Sequence, residues 1–296
     1  MKQTMTTINE TKCLLCGSEK HKAYKTIESF GYPVTYSLCQ TCGFVFQDQA
    51  KTIAKDETFY AETYRKIYQT SEEPTPKDLR QQTMRAINQS QFIRANHLAP
   101  TRILDIGASS GLLLDTLRAD FGAEVMGVEP GNAYRAVAEA REIQMFSSLE
   151  SLGETNREPF DLITMMHVLE HMPDPLQTLR QIRERLLSSN GALLVEVPNF
   201  YAHDSFELAH LSCFTPQSLQ EMMRLAGFEI QAFRRHGFPR SKTLNLYIEV
   251  LARPLIEPSE DEKARPEWGV AIKRGLSMVW RKLITRLKPK ESWLEV

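Results

Sequence analysis

No stretch of this sequence approaches the roughly 20 consecutive apolar residues that cross a bilayer. The first residues, Met1 to Lys12, are polar and lack the apolar run of a secretion signal. These absences lead us to expect a cytoplasmic chain, at most peripheral to the inner face of the membrane. Charge of one sign is also missing. Lys and Arg number 36 against 37 Asp and Glu, a formal net charge of -1, so any attraction to nucleic acid or membrane must be local. There is no internal repeat and no low-complexity tract. Cysteine is scarce, five in 296 residues, yet four of the five sit in two tight pairs. In a reducing compartment such pairs hold a metal more often than they form disulfides. The remainder, 42% hydrophobic and 25% charged, is ordinary globular composition, long enough for one well-buried core with smaller attachments.

Four regions follow from the patterning. Residues 1–50 carry the cysteine pairs and short β-type stretches, Val34 to Leu38 and Phe44 to Phe46. Residues 51–98 read as a helical linker or lid, broken at Glu73-Pro-Thr-Pro76, with a helix over Lys77 to Leu98. Residues 99–252 alternate strand and helix. Strands are expected at Arg102–Ile106, Glu124–Val128, Asp161–Met166, Gly191–Val197, Phe228–Phe233 and Thr243–Leu251. Helices are expected from Leu112, over Ala133–Arg141, Pro175–Leu187 and Pro216–Ala226. That alternation predicts an α/β fold, a Rossmann-like, mostly parallel seven-stranded sheet with helices on both faces. Residues 253–296 read as a linker and a basic amphipathic helix.

The pairs are Cys13-Leu-Leu-Cys16 and Cys39-Gln-Thr-Cys42, each followed by glycine, Gly17 and Gly43. A Cys-x-x-Cys turn puts two thiolates on one side of a knuckle. Two knuckles make a tetrahedral four-sulfur site, which suits structural Zn2+ with no open position for chemistry. A module of about 40 residues has too little core to fold without its metal.

Directly after the Arg102 strand comes Leu104-Asp-Ile-Gly-Ala-Ser-Ser-Gly111. Gly107 permits a tight turn, and Ser109 and Gly111 are small enough for a ligand to approach backbone. The Gly-x-Gly-x-x-Gly of dinucleotide sites is not met, since its second and third glycines fall on Ser109 and Leu112. Asp105, two residues before the first glycine, would repel a pyrophosphate and attract an ammonium group, such as that of S-adenosylmethionine (SAM). Glu129, at the end of the second strand and followed by Pro130, can accept hydrogen bonds from both hydroxyls of an adenosine ribose.

With these residues the chain resembles the class I SAM-dependent methyltransferases. The resemblance rests on the Asp-x-Gly-x-x-x-Gly loop, the Gly-Val-Glu-Pro step, and Phe160-Asp-Leu-Ile-Thr-Met-Met-His-Val-Leu-Glu-His-Met-Pro-Asp-Pro175. It implies SAM as methyl donor and places His167 on the donor pocket. With the cysteine module in front, the chain is similar to a subgroup acting on nucleotide-linked or polysaccharide sugars. Ala209-His-Leu-Ser-Cys-Phe-Thr215 is similar to that subgroup's Glu-His-Leu-Ser-x-Phe-Ser stretch, which implies His210 as general base. Ala209 replaces the preceding acid, so another residue must orient His210. Sugar C-methyltransferases carry a large further C-terminal α/β domain, whereas only residues 253–296 follow here.

Asn199, His203 and Asp204 are candidates for acceptor binding. His171 is a further candidate beside its reading as a structural residue at a helix start. Tyr64 and Tyr68 are placed on a helix that could close over the pocket. His167, Glu170 and His171 fall at i, i+3 and i+4, a spacing that on one helix face could hold a metal. The similar stretch of quinone-ring O-methyltransferases is carboxylate-rich and binds magnesium, but His167 is a poor ligand for so hard a cation. Cys213 reads as a small buried apolar residue. The leading expectation is methyl transfer to a small polar acceptor, a sugar or glycoconjugate intermediate. The alternatives are a quinone-type ring or nucleic acid as acceptor, and a non-catalytic adaptor. The lack of a basic, aromatic-interleaved face argues against RNA. From Trp268 to Lys288, Trp268, Ile272, Leu276, Val279, Trp280, Leu283 and Leu287 share a helical stripe flanked by Lys and Arg, without Asp or Glu. That pattern suits an anionic membrane surface, or else a helix docked on the domain or in a dimer.

Overall fold

The computed structural model describes residues 12–48, 73–156, 158–257 and 263–294. Its main sheet is built where the sequence runs apolar without alternation, the pattern of strands covered on both faces. Strands β4 (Arg102–Ile106) and β7 (Phe160–Met166) pair in parallel at its centre. Beyond β4 lie β5 (Glu124–Val128) and β6 (Gln144–Phe146); beyond β7 lies β8 (Leu187–Pro198). Then β11 (Tyr247–Pro254) runs antiparallel to β8, and β10 (Phe228–His236) closes the edge. The order β10-β11-β8-β7-β4-β5-β6 is the expected seven-stranded α/β sheet. The chain leaves β4 toward β5 and returns on the other side at β7. That reversal is a topological switch point, where a crevice opens at the strand carboxyl ends.

Helices α1 (Pro76–Ala95), α2 (Leu112–Phe121), α3 (Asn132–Glu139), α4 (Leu149–Thr155), α5 (Pro175–Arg185) and α6 (Pro216–Leu225) accompany the sheet. Their starts are coded locally. Thr75 and Thr215 each accept from the third helical amide in a capping box, with Pro at the first helical position. Each such cap contributes about 1 kcal/mol. Helices α7 (Val270–Leu287) and α8 (Pro289–Ser292) close the chain. No helix among the described residues is long and apolar enough to cross a membrane.

Several expectations need correction. The last strand begins at Tyr247, not Thr243, because Ser241 Oγ accepts from the amides of Thr243 (3.2 Å) and Leu244 (2.8 Å) and holds that stretch in a turn. Trp268 lies outside the terminal helix, which starts after Gly269 in a left-handed conformation (φ 70°). His171 ends a short 3-10 turn, Leu169–His171, rather than opening a helix. His167 itself has φ 58°, so His167, Glu170 and His171 do not share a helix face. The first half of the linker, with Tyr64 and Tyr68, lies outside the described residues.

The N-terminal strands β1 (His21–Ser29), β2 (Tyr32–Cys39) and β3 (Val45–Gln47) do not stand apart. A fourth strand, β9 (Ser212–Cys213), joins their sheet from the main domain, pairing Val45 with Cys213 and Phe46 with Ser212. Under α1, a row of polar groups crosses the main sheet. Glu196, Glu249 and Arg234 are cross-strand neighbours on β8, β11 and β10. Arg234 pairs with Glu249 and donates to Gln89 Oε1 (3.0 Å), whose amide donates to Glu196 Oε2 (2.7 Å). Two buried carboxylates this close do not both ionise readily. Burial and the charge of Glu196 push Glu249 up to about 8. Glu196, although burial opposes it, is held well below the usual range by His167 and His236.

Candidate active site

The crevice at the switch point is a cleft of about 740 Å³. Its floor is the loop after β4. Gly107 (φ 79°) and Ser109 (φ 50°) are both left-handed, and the amides of Gly107 and Ala108 donate to Val128 O (2.8 and 2.9 Å). A Cβ on Gly107 would stand 2.3 Å from Val168 Cγ2, so position 107 requires glycine by contact as well as by conformation. Asp105 sits under this turn, buried, and accepts from Thr164 Oγ1 (2.7 Å) across the β4–β7 boundary. Burial pushes its carboxyl up to about 7 against the Thr164 bond, and Glu129 adds to the rise. A cationic group entering beside it would restore the charged form. Glu129, also buried, accepts from the amides of Ser109 (3.0 Å, on Oε2) and Gly131 (2.8 Å, on Oε1). It therefore fastens the loop to the end of β5, and its carboxylate is of the type that accepts hydrogen bonds from hydroxyls. Pro130, Ser147 and Leu149 continue the wall beyond it. A buried acid at one end, an acid suited to a diol at the other and small residues between them fit the ammonium and ribose of SAM.

Residues 76–232, just over half of the sequence, match the methyltransferase domain family. The chain belongs to that family. It carries a methyltransferase domain. The ubiquinone biosynthesis O-methyltransferase of Pseudomonas fluorescens (strain SBW25) is 36% identical over 91 residues, 28% of this chain and 39% of the relative. That of Pseudomonas syringae pv. tomato (strain ATCC BAA-871 / DC3000) is 34% identical over 113 residues, 36% of this chain and 47% of the relative. The methyltransferase thus spans less than half the length of these curated relatives. Among solved structures, the PH0226 protein from Pyrococcus horikoshii OT3 aligns at a TM-score of 0.49 and 14% identity, covering 65% of this chain and 99% of its own. A SAM-dependent methyltransferase from Clostridium acetobutylicum ATCC 824 aligns at 0.47 and 12% identity, covering 65% and 96%.

The methyltransferase cleft gathers Asp105, Gly107, Ser109, Glu129, Pro130, His167 and His171 of the expected site residues. Gly111 stands behind it, where a Cβ would meet Ala138 Cβ and Ile143 Cδ1 at 2.8 Å, so its role is close helix packing. Asn199, His203, Asp204 and His210 do not line the cleft. Asn199 spends its amide inside a turn, donating to Asn245 O (2.8 Å) and accepting from Tyr201 N (3.0 Å). Asp204 is exposed and pairs with Arg281 (2.6 Å). His203 is held down to about 3, first by burial and then by nearby cations.

The histidines differ in protonation. His210 Nδ1 lies 3.2 Å from Ser205 O and Nε2 lies 2.7 Å from Glu207 Oε1. Both ring nitrogens face oxygens, which favours imidazolium. Burial alone would lower its pKa, but Glu207 outweighs burial and raises it. Glu207 is thus the orienting acid absent at Ala209, and its place two residues earlier hid it in the sequence. His167 is likewise raised: burial and Arg85 pull it down, while Glu170 and Glu196 outweigh them. His171 differs. Its Nδ1 donates to Ala209 O (2.8 Å), so the neutral ring carries its lone pair on Nε2. Burial lowers its pKa, the charge of His210 reinforces this, and Glu170 opposes it. Glu170 is a buried carboxylate among the three rings, 3.6 Å from His167 Nδ1, 3.9 Å from His171 Nε2 and 4.0 Å from His210 Nε2. Sequence reading also missed the α1 wall. Gln82 accepts from Ser110 Oγ (2.6 Å), and Gln81, Arg85 and Gln89 line the same face.

Away from the cleft, the four cysteine sulfurs lie within 4.8 Å of one another. Cys13 and Cys42 Sγ are 3.6 Å apart, as are Cys16 and Cys39 Sγ. This is too far for a disulfide, and close to the ~3.8 Å edge of a tetrahedron with ~2.3 Å zinc–sulfur bonds. Gly17 and Gly43, both left-handed, donate to Cys13 O (2.8 Å) and Cys39 O (3.1 Å) and close the two knuckles. The donor set fits structural zinc. Cys213 lies apart from them, buried, with Sγ 3.7 Å from Ser205 O.

Proposed function

We propose that this methyltransferase methylates a hydroxyl of a small polar acceptor, a sugar or glycoconjugate intermediate, with His171 as general base. The observation that carries the reading is the polar lining of the cleft beyond the donor loop. It offers the amides of Gln81, Gln82 and Gln181, the guanidinium of Arg85 and two imidazoles, and no aromatic side chain among the described lining residues. Such a wall recognises hydroxyls and gives a flat ring little to stack on.

SAM supplies an activated methyl group, so the chain's work is alignment and deprotonation. His171 lines the cleft with a lowered pKa and an Nε2 lone pair, and can take the hydroxyl proton. Glu170 would stabilise the imidazolium so formed, 3.9 Å away. His210, with Glu207, stands behind His171, ring centroids 5.0 Å apart. There it is a positioning cation that keeps His171 neutral beforehand. In the N-terminal module, Cys13, Cys16, Cys39 and Cys42 hold structural zinc.

The relatives' names favour a second reading, a quinone-type ring as O-methyl acceptor. The two are separated by offering the enzyme SAM with nucleotide-linked sugars and, separately, with catechols and hydroquinones, and weighing the products. Methylated sugar supports the first reading; methylation of the phenolic ring alone replaces it with the second. In either case His171→Gln should lower kcat by about 100- to 10,000-fold. A larger loss in His210→Gln than in His171→Gln would return the base to His210.

A further inference from the structure

Helix α7 docks with its faces reversed. An amphipathic helix on a globular domain ordinarily buries its apolar stripe and solvates its charges. Here Arg274 is buried, donates to Phe200 O and His203 O, and lies over the Phe200 ring, 4.7 Å from its centroid. Arg281, about two turns further along the same face, donates to Ala202 O (2.9 Å) and Asp204 Oδ2 (2.6 Å). The opposite face carries Ile272, Leu276, Val279, Trp280, Leu283 and Leu287, each between 45% and 71% exposed. Scattered exposed apolar residues are normal, but six on one stripe form a surface that water alone does not explain.

The charges beside the stripe indicate what covers it. At 100° per residue, Lys282 and Arg286 border it on one side and Lys273 on the other. The helix contains no Asp or Glu. Lys282 and Arg286 have no acidic partner among the described residues, whereas Lys273 pairs with Glu267 (3.1 Å). A second copy packed stripe to stripe would bring these cations against their own equivalents with no acid between them. A sheet of anionic headgroups over an acyl layer matches both parts, cations and a Trp at the rim of an apolar centre.

We propose that α7 is a membrane-surface anchor that lays its Ile272–Leu287 stripe into an anionic bilayer leaflet. The anchor is independent of the acceptor's identity. It bears on it only by geometry, since α7 rests on residues 200–204, the segment leading to His210.

The test is co-sedimentation of the full chain with vesicles of phosphatidylcholine, alone or with one-third phosphatidylglycerol. The protein should bind the anionic vesicles, and bind the neutral ones at least roughly tenfold more weakly. Lys282→Gln with Arg286→Gln should weaken anionic binding by about 30-fold, two surface cations' worth. Leu276→Glu with Val279→Glu should abolish binding to both. All changes lie on exposed positions, so thermal midpoint and SAM affinity should hold and certify the fold. Failure of the wild type to bind anionic vesicles, or equal binding to both kinds, overturns the proposal. So does a stable dimer in light scattering that Leu276→Glu with Val279→Glu splits into monomers.

Discussion

The buried carboxyl of Asp105 makes SAM affinity depend on pH in a direction that can be worked out. Burial raises it from 3.8 to about 7 in the free protein, only partly opposed by the Thr164 hydroxyl. A rise of that size corresponds to about 4 kcal/mol disfavouring the carboxylate. Because the folded form holds a proton that the unfolded chain releases near 3.8, Asp105 makes the free protein less stable as pH rises from about 4 to about 7. Binding of the SAM ammonium reverses the preference and expels the proton. Below pH 7 that expulsion opposes binding, so affinity must fall as pH falls. If the bound carboxyl returns to its ordinary value of 3.8, Kd should weaken about 25-fold between pH 7.5 and pH 5.5. An α-amino group titrates near 8, so the ligand's own charge changes little over most of this range. Calorimetry at pH 6 in two buffers of different ionisation heat should find about 0.9 proton released per SAM bound. Asp105→Asn should bind more weakly and remove most of the slope, leaving what His167 and His171 contribute from the same cleft. Full wild-type affinity at pH 5.5 with no proton release would refute the pairing of Asp105 with the ammonium.

Gly107→Ala should lose SAM binding and lower the thermal midpoint, because its Cβ would lie 2.3 Å from Val168 Cγ2 at a φ of 79°, a strain of roughly 2 kcal/mol or more. A folded variant with normal SAM affinity would refute the close approach. One zinc per chain should appear in elemental analysis; chelation or Cys39→Ser should lower the melting temperature, and metal-free protein of unchanged stability would refute the site. Tyr36→Phe deletes a buried hydroxyl that donates to Glu207 O (2.7 Å) and His210 O (2.9 Å) and accepts from Glu207 N (3.0 Å). It should cost about 1–3 kcal/mol in denaturant unfolding and lower kcat with little change in SAM affinity. A loss confined to stability would mean that Tyr36 supports the fold and not the histidines.

Sequence patterning singled out one end of the cleft because that end is local. Asp105, Gly107 and Ser109 lie on one turn, and Glu129 ends the next strand, so strand ends and glycine positions were enough to place them. The rest of the cleft is assembled from distant segments. His171 meets Ala209, 38 positions further along the chain, and Gln89 of α1 reaches Glu196 on β8. No periodicity records such meetings. Glu207 escaped because the acid was sought next to His210, whereas a tight turn carries an acid at i-3 back to the ring. Strand β1 escaped for another reason. Most of its side chains are polar and partly exposed, so it shows little of the alternation that marks a half-buried strand. Helix α7 was legible as amphipathic, but which face would dock depended on carbonyls of the 200–204 turn that only the fold brings beneath it.

Those carbonyls belong to one segment, residues 199–215, on which both flanking regions of the chain converge. From the N-terminal side, β3 pairs with β9, and Gln47 donates to the carbonyls of Glu207, Leu208 and His210 (2.8–2.9 Å) beside Tyr36. From the C-terminal side, Arg274 and Arg281 seat on residues 200–204, and Glu267 accepts from Tyr201 Oη (2.6 Å) and from Thr215 Oγ1. The two flanks also meet each other, since Glu267 N donates to Cys42 O (3.0 Å) and a Cβ on Gly43 would strike Glu267 O. The cysteine knuckle, the terminal helix and the histidine loop therefore form one braced unit. Such a unit orders the backbone that carries Glu207 and His210 without touching the donor loop. Disturbing the knuckle or α7 should for that reason reach the acceptor histidines before it reaches SAM. A module that looks like an independent appendage in the sequence is, in the fold, part of the support of the Glu207–His210 segment.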